Sequence, residues 1–250
     1  MDDARPSPLR QNGKVWFADE LPAGGKPQGN GPNPWKFVTA PAHPVYSGQN
    51  STVRTGKGIT QHFFTGAKQP LVINENDRLF AYVYLDPKDP PETIQLQFND
   101  GSWEHRAHWG ADKAFGAGRN NASNKPLGPL PETGKWVRLE VPAATVGLKA
   151  GSKLNGWAFT QFKGTVDWDK AGVVTIGALS TEQKGSLASW EHFRATIKQP
   201  ALPADVQKVL NVARDKRSKE QSEKLLRYFL QNVNPESRQR FAEPLKNQQA

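Results

Sequence analysis

The chain has 250 residues, no cysteine, 22 glycines, 20 prolines, 8 tryptophans and a formal net charge of +9. The absence of cysteine excludes disulfides and thiolate metal sites, and no run of 18 apolar residues is present to span a membrane. The glycine and proline content suits many short strands joined by turns.

Residues 1–13 are polar and proline-containing and read as a disordered segment with no apolar signal-peptide core. On its own this start fits either a cytoplasmic protein or a piece of a longer chain. Lys14–Ala18 is a short strand candidate, residues 19–34 carry loop chemistry, and Trp35–Val38 reads as a strand. Ile59–Thr65 is β-rich. In Arg78–Leu85, Leu79, Ala81, Val83 and Leu85 occupy one face and Phe80, Tyr82 and Tyr84 the other, which predicts a central strand covered on both sides. Thr93–Phe98 alternates, with Ile94, Leu96 and Phe98 inward and Gln95 and Gln97 outward. Asp100-Gly101 predicts a tight hairpin turn leading to a strand over Glu104–Trp109. Residues 110–134 are a long Gly-, Asn- and Pro-rich loop, a length associated with function. Strands are expected at Trp136–Val141, Trp157–Phe162, Val173–Leu179 and His192–Ile197.

The pattern therefore predicts an all-β domain over residues 14–198, a two-sheet antiparallel jelly-roll sandwich, followed by an α-helical tail over 199–250. In the tail, Val206, Val209 and Leu210 share helical spacing, Ser218 and Gln221 form a capping box, and Asn234-Pro235 opens a further short helix. So few helices cannot enclose a core alone, so they are expected to pack on the sandwich or on neighbouring domains.

Several segments together carry a family resemblance: Gln61-His62-Phe63-Phe64, Tyr82 to Pro87, Trp103 to Gly110, Gly134 to Pro142, Gly156 to Gln161 and Val166 to Gly172. The set resembles the laminin-G-like, concanavalin-type β-sandwich of large secreted multidomain proteins of planctomycete bacteria, which also carry cytochrome-c-like domains and domains of unknown function. Leu202 to Val206 and Asp215 to Gln221 resemble the helical connector that follows the sandwich in those proteins. The resemblance implies an extracytoplasmic location, periplasmic, cell-surface or secreted, and a polysaccharide-related role. It supplies no site residues, and the chain has no haem-attachment motif.

Sugars offer apolar C–H faces to aromatic rings and hydroxyls to planar polar groups. The candidate ligand-binding residues are accordingly Asp100, Trp103, His105, Arg106 and Trp109, with Arg119 and Asn120 from the following loop. Strand alternation would put Trp103, His105, Ala107 and Trp109 on one face and Glu104, Arg106 and His108 on the other. The bland alternative makes both tryptophans core and the charged groups a structural network. His105 and His108 fall on opposite strand faces and HExxH is absent, which argues against zinc. Asp86, Asp89, Asp100 and Asp169 are compatible with a structural calcium, but no ordered ligand loop assigns one. Glu104 and Glu140 each stand alone on their strands, unlike paired glycosidase carboxylates. The basic residues of the tail read as a solvated helix face, not a nucleic-acid site. The expected function is non-catalytic polysaccharide binding with no required cofactor. The alternatives are a structural or protein-interaction domain and a glycan-degrading hydrolase or lyase.

Overall fold

A computed structural model describes residues 11–31, 33–177, 179, 181–196 and 202–238. The predicted disorder of residues 1–13 falls mostly outside these, and from Gln11 onward the chain is already a strand. Among the described residues twelve strands run in chain order: β1 Gln11–Phe17, β2 Lys26–Gly29, β3 Phe37–Val38, β4 Ser51–Thr65, β5 Leu71–Val72 and β6 Asp77–Leu85. They continue as β7 Thr93–Asn99, β8 His105–Gly110, β9 Lys125–Pro126, β10 Trp136–Pro142, β11 Lys153–Leu154 and β12 Gly156–Ile176. These lie in one compact unit, Gln11–Ile176.

The architecture is the all-β antiparallel sandwich that the strand pattern predicts, with β12 as its spine. Gly156–Phe162 of β12 pairs with β7 on one side and with the second half of β4 on the other. Beyond an irregularity at Phe162/Gly164, Val166–Trp168 pairs with β6 and with the first half of β4, and Asp169 with β6 alone. After a second irregularity at Asp169/Gly172, the last stretch pairs with β6 and β1. One sheet is thus β2-β4-β12-β7-β8-β9 and the other is β3-β4-β12-β6-β10, with β1 flanking the end of β12. Two long strands serve both layers, bending at bulges as corner strands do.

Each irregularity shifts the register by one residue, and the parity of β12 that faces inward flips across it. The core takes Trp157 and Phe159, then Val166 and Trp168, then Ala171 and Val173. From β6 it takes Leu79, Ala81, Val83 and Leu85, and from β7 Ile94, Leu96 and Phe98, as the alternation predicts. At the first corner Lys163 has φ 60° and Gly164 φ 73°. A Cβ on Gly164 would stand 2.4 Å from Pro91 N and 2.5 Å from Pro90 C, so both backbone sign and space demand glycine.

The second compact unit begins at Gly177 and is helical: α1 Thr181–Gly185, α2 Leu187–Thr196, α3 Ala204–Leu210 and α4 Lys219–Asn232. This corrects two expectations. The strand foreseen at His192–Ile197 is α2 as far as Thr196, and the β unit ends near Ile176 instead of 198. The capping box is realised: Gln221 N donates to Ser218 Oγ at 3.2 Å, and Ser218 N donates to Gln221 Oε1 at 3.0 Å. Glu236 N and Ser237 N both donate to Asn234 Oδ1 at 3.0 Å, capping the helical turn at 235–238. Trp190 packs on Tyr228 and Phe229 at 6.0 and 5.7 Å between ring centroids.

Gly164→Ala should destabilise the protein by about 2–4 kcal/mol, since a left-handed φ and a backbone clash act together. Urea unfolding monitored by tryptophan fluorescence measures it. An unchanged midpoint would mean that the corner is not fixed as described.

Candidate functional site

On the first sheet the residues facing away from the core form rows across the strands. One row runs Gln61, Thr160, Gln95, His108 and the next Phe63, Ala158, Gln97, Arg106. Gln95 and Gln97 lie on the predicted outward face, yet they are 0% and 2% exposed. The loop after β8 covers Gln95, and Asn124 pins that loop down. Asn124 Oδ1 accepts from Gln95 Nε2 at 3.0 Å and faces His108 Nδ1 at 2.8 Å. Its Nδ2 donates to Asp112 Oδ1 and to the Gly116 carbonyl, both at 2.9 Å. All four valences of the buried amide are filled.

Arg106 is the centre of the adjoining row. Its Nε donates to Gln97 Oε1 at 3.0 Å, Nη1 and Nη2 grip Glu104 at 3.2 and 3.0 Å, and Nη1 also reaches the Ser123 carbonyl at 2.9 Å. Arg119 Nη1 joins Glu104 Oε2 at 2.8 Å. Gln97 and Gln61 both donate to Thr160 Oγ1, at 2.8 and 3.1 Å. Arg106 is buried, while the Glu104 and Arg119 side chains are 54% and 52% exposed. Hydrogen bonds from the Arg106 guanidinium, with its charge and that of Arg119, hold the Glu104 carboxyl below its ordinary range. Beside this network the Trp103 ring meets Phe63 edge to face, with centroids 5.4 Å apart. Trp103 comes from the β7–β8 connection and Phe63 from β4, so the pair reaches across β12.

The structure therefore divides the predicted site. Trp103, Arg106 and Arg119 come together, with Glu104, on the outward face. Strand alternation starts only at His105, because residues 100–104 form a five-residue connection in place of the predicted two-residue hairpin turn. That moves Trp103 onto the Arg106 face. Trp109 is corrected: with Ala107 it points into the core and is 8% exposed. Asp100 and His105 pair at 3.1 Å on the other side of β8, where His105 Nδ1 also meets the Val146 carbonyl at 2.6 Å. They brace the β7–β8 connection against the 3-10 turn Ala143–Val146 and do not join Arg106. Asn120 is exposed, with its side-chain oxygen 3.4 Å from Lys125 Nζ. The four aspartates compatible with calcium do not converge. Asp86 accepts from Lys88 N at 2.7 Å, Asp89 from Thr165 Oγ1 at 2.8 Å, and Asp169 from Tyr46 N and Ser47 N at 2.9 Å each. Among the described residues no group of three His, Asp or Glu side chains is placed to hold a metal.

Two further titratable groups are buried, and the sequence pattern does not single them out. His62 on β4 is 1% exposed, with Nε2 3.0 Å from Thr52 Oγ1 and Nδ1 without a partner. Burial, aided by the nearby Arg54 charge, holds it down to about 3. Asp167 on β12 is 2% exposed. Burial, aided by Asp86 and opposed by Lys36, pushes its carboxyl up to about 7. Neither was legible, because single polar residues inside strand patterns give no sign of depth.

No protein-family model and no curated protein matches the chain. Among solved structures, the chain is similar to the K1 cleaved adhesin domain of Lys-gingipain from Porphyromonas gingivalis W83, at 15% identity over 67% of this chain and 99% of that one, TM-score 0.42. It is also similar to the CBM22-1 xylan-binding domain of Xyn10C from Paenibacillus barcinonensis, at 16% identity over 70% and 99%, TM-score 0.37. TmCBM61, solved with β-1,4-galactotriose, is similar at 12% identity over 60% and 88%, TM-score 0.37. Likeness of this degree transfers neither ligand nor chemistry.

His62 and Asp167 should pull stability in opposite directions with pH. Below pH 6.5 the unfolded chain protonates its His62 while the native one does not, so this group's contribution falls as pH falls. Asp167 holds a proton in the native state that the unfolded chain has released above its ordinary value near 3.8, so its contribution falls as pH rises toward 7. Each amounts to about 2–3 kcal/mol between pH 4.5 and 6.5. Urea unfolding at both pH values should show His62→Gln losing stability relative to wild type as pH rises and Asp167→Asn gaining it. Parallel pH dependence in the two variants would refute the assignment.

Proposed function

We propose that the β unit is a non-catalytic carbohydrate-binding module whose ligand lies against Trp103, Phe63, Glu104 and Arg119 on the outer face of the first sheet. One observation carries this reading. Two half-buried aromatic rings, one from the β7–β8 connection and one from β4, meet edge to face beside a half-exposed carboxylate that Arg106 fixes from beneath and a half-exposed guanidinium that this carboxylate holds. Aromatic faces accept the C–H side of a pyranose ring, and a positioned carboxylate–guanidinium pair accepts and donates to its hydroxyls. Arg106 orients Glu104 from below, and Gln97, Gln61 and Thr160 hold the floor, so little side-chain entropy remains to be lost on binding. The loop anchored by Asn124 forms the rim that presents Arg119.

At this face binding is favoured over hydrolysis by the state of Glu104. A general acid needs a carboxyl pKa raised toward neutrality, and two guanidiniums push Glu104 the other way. The place of the module in a larger extracytoplasmic protein rests on the sequence resemblance alone.

Affinity electrophoresis against neutral and anionic polysaccharides tests the reading. Trp103→Ala should weaken binding at least tenfold and Glu104→Gln several-fold, with thermal stability within about 1–2 kcal/mol of wild type. Retention equal to wild type in the Trp103→Ala protein would exclude this face as the site. Release of reducing ends from the bound polysaccharide would make the protein an enzyme instead.

A further inference from the structure

The outer face of the second sheet holds a different set of groups. Trp136 on β10, Tyr84 on β6, Asp167 on β12 and Val53 on β4 stand side by side in register, and Arg138, Tyr82 and Asp169 form the next row. Tyr46, from the segment before β4, stacks on Tyr82 with centroids 3.6 Å apart and planes 17° apart. It also meets Trp136 at 6.0 Å, and Tyr84 meets Trp136 at 5.9 Å. Tyr46 is 40% exposed and the other three rings are half-buried. Four aromatic rings thus cluster on one face, with Tyr46 lying over Tyr82.

At the β4 edge of this face lies a cavity of about 650 Å³, lined by Trp35, Lys36, Phe37, Val53, Arg54 and Thr55, together with Asn33. That size falls within the range of small-molecule sites. Polar capacity around it is unfilled. Arg54 sends Nη1 to the Pro34 carbonyl at 3.1 Å and Nη2 to the Asn30 carbonyl at 2.6 Å, but its buried Nε has no acceptor. Asp167, the cross-strand neighbour of the cavity-lining Val53, has a buried Oδ1 with no hydrogen bond, and His43 Nδ1 stands 3.5 Å from it without hydrogen-bond geometry. Buried polar atoms are ordinarily paired, and unpaired ones call for a partner.

The signs of these groups select the partner. A ligand carboxylate or phosphate would meet Asp86 and Asp169, and a ligand ammonium would meet Lys36, Arg54, Arg138 and Lys170. A hydroxyl both donates and accepts, so it satisfies the Asp167 carboxyl and a guanidinium N–H without repulsion. Hydroxyls beside the Tyr46, Tyr84 and Trp136 rings describe a neutral saccharide. We infer that this face is a second, independent binding surface for a neutral oligosaccharide, with Tyr46, Tyr84 and Trp136 as the stacking platform, Tyr82 as the support beneath Tyr46, and Asp167 and Arg54 as hydroxyl partners. The two surfaces lie on the outward faces of opposite sheets, so one chain can engage two glycan strands.

Isothermal titration of the full chain with β-1,4-linked hexasaccharides of glucose, xylose, galactose and mannose tests this. At least one of them should bind with a stoichiometry of two per chain. Tyr46→Ala and Trp136→Ala, each checked for unchanged circular dichroism, should remove one site, and Asp167→Asn should weaken that same site at least fivefold. Trp103→Ala should remove only the other. A stoichiometry of one that Trp103→Ala abolishes and the Tyr46 and Trp136 variants leave untouched overturns the second surface while sparing the first. A stoichiometry of one lost in the Tyr46 and Trp136 variants but not with Trp103→Ala upholds this surface and removes the other. Absence of any binding overturns both.

Discussion

One strand has to serve two sheets, and most of the structure follows from how β12 does so. Over Gly156–Ile176 it borders β7, β6, β4 and β1 in turn. A strand with uninterrupted alternation could not keep one face apolar through two corners. The irregularities at Phe162/Gly164 and Asp169/Gly172 reset the parity, so Trp157, Phe159, Val166, Trp168 and Ala171 all reach the same core. The left-handed backbone at Lys163, Gly164 and Lys170 is the local cost of that continuity.

The same resets decide what each sheet shows on its outside. Before the first corner the outward residues of β12 are Ala158 and Thr160, small groups over which Trp103 and the Gln97–Arg106 network close. After it they are Asp167 and Asp169, whose carboxylates stand among tyrosines. The first face is dense in hydrogen bonds and leaves Gln95 Oε1 unpaired, while the second leaves Arg54 Nε, Asp167 Oδ1 and Asp169 Oδ1 unpaired. The first is preorganised for a ligand that adds to a finished surface, and the second for a ligand that completes it.

The sequence revealed much of the sandwich because alternation is loud where one face is buried. Leu79-x-Ala81-x-Val83-x-Leu85 and Ile94-x-Leu96-x-Phe98 could be read directly, as could the Ser218 and Asn234 caps. The pattern over β12 reads as two strands with a gap, since a bulge erases the period over which alternation is recognised. His192–Ile197 resembled a strand because its residues carry no helical apolar stripe of their own, and tertiary packing around Trp190 decided the helix. In the site, residue types were legible but directions were not. Trp103 and Trp109 are six apart and look equivalent, yet a five-residue connection sends one outward while the strand sends the other into the core. The Tyr46–Tyr82–Trp136 face was invisible because it gathers residues 90 positions apart.

The decisive measurement is a titration of the ¹⁵N-labelled protein with a soluble oligosaccharide, following the eight indole N–H signals. Trp157 and Trp168, buried with no partner for their ring nitrogens, serve as internal controls. Binding on the outward faces should move the signals of Trp103 and Trp136 saturably while those of Trp157 and Trp168 stay in place. Indole signals that stay fixed at millimolar sugar, or shifts confined to the buried tryptophans, would show that this sandwich is not a carbohydrate-binding module of the kind described.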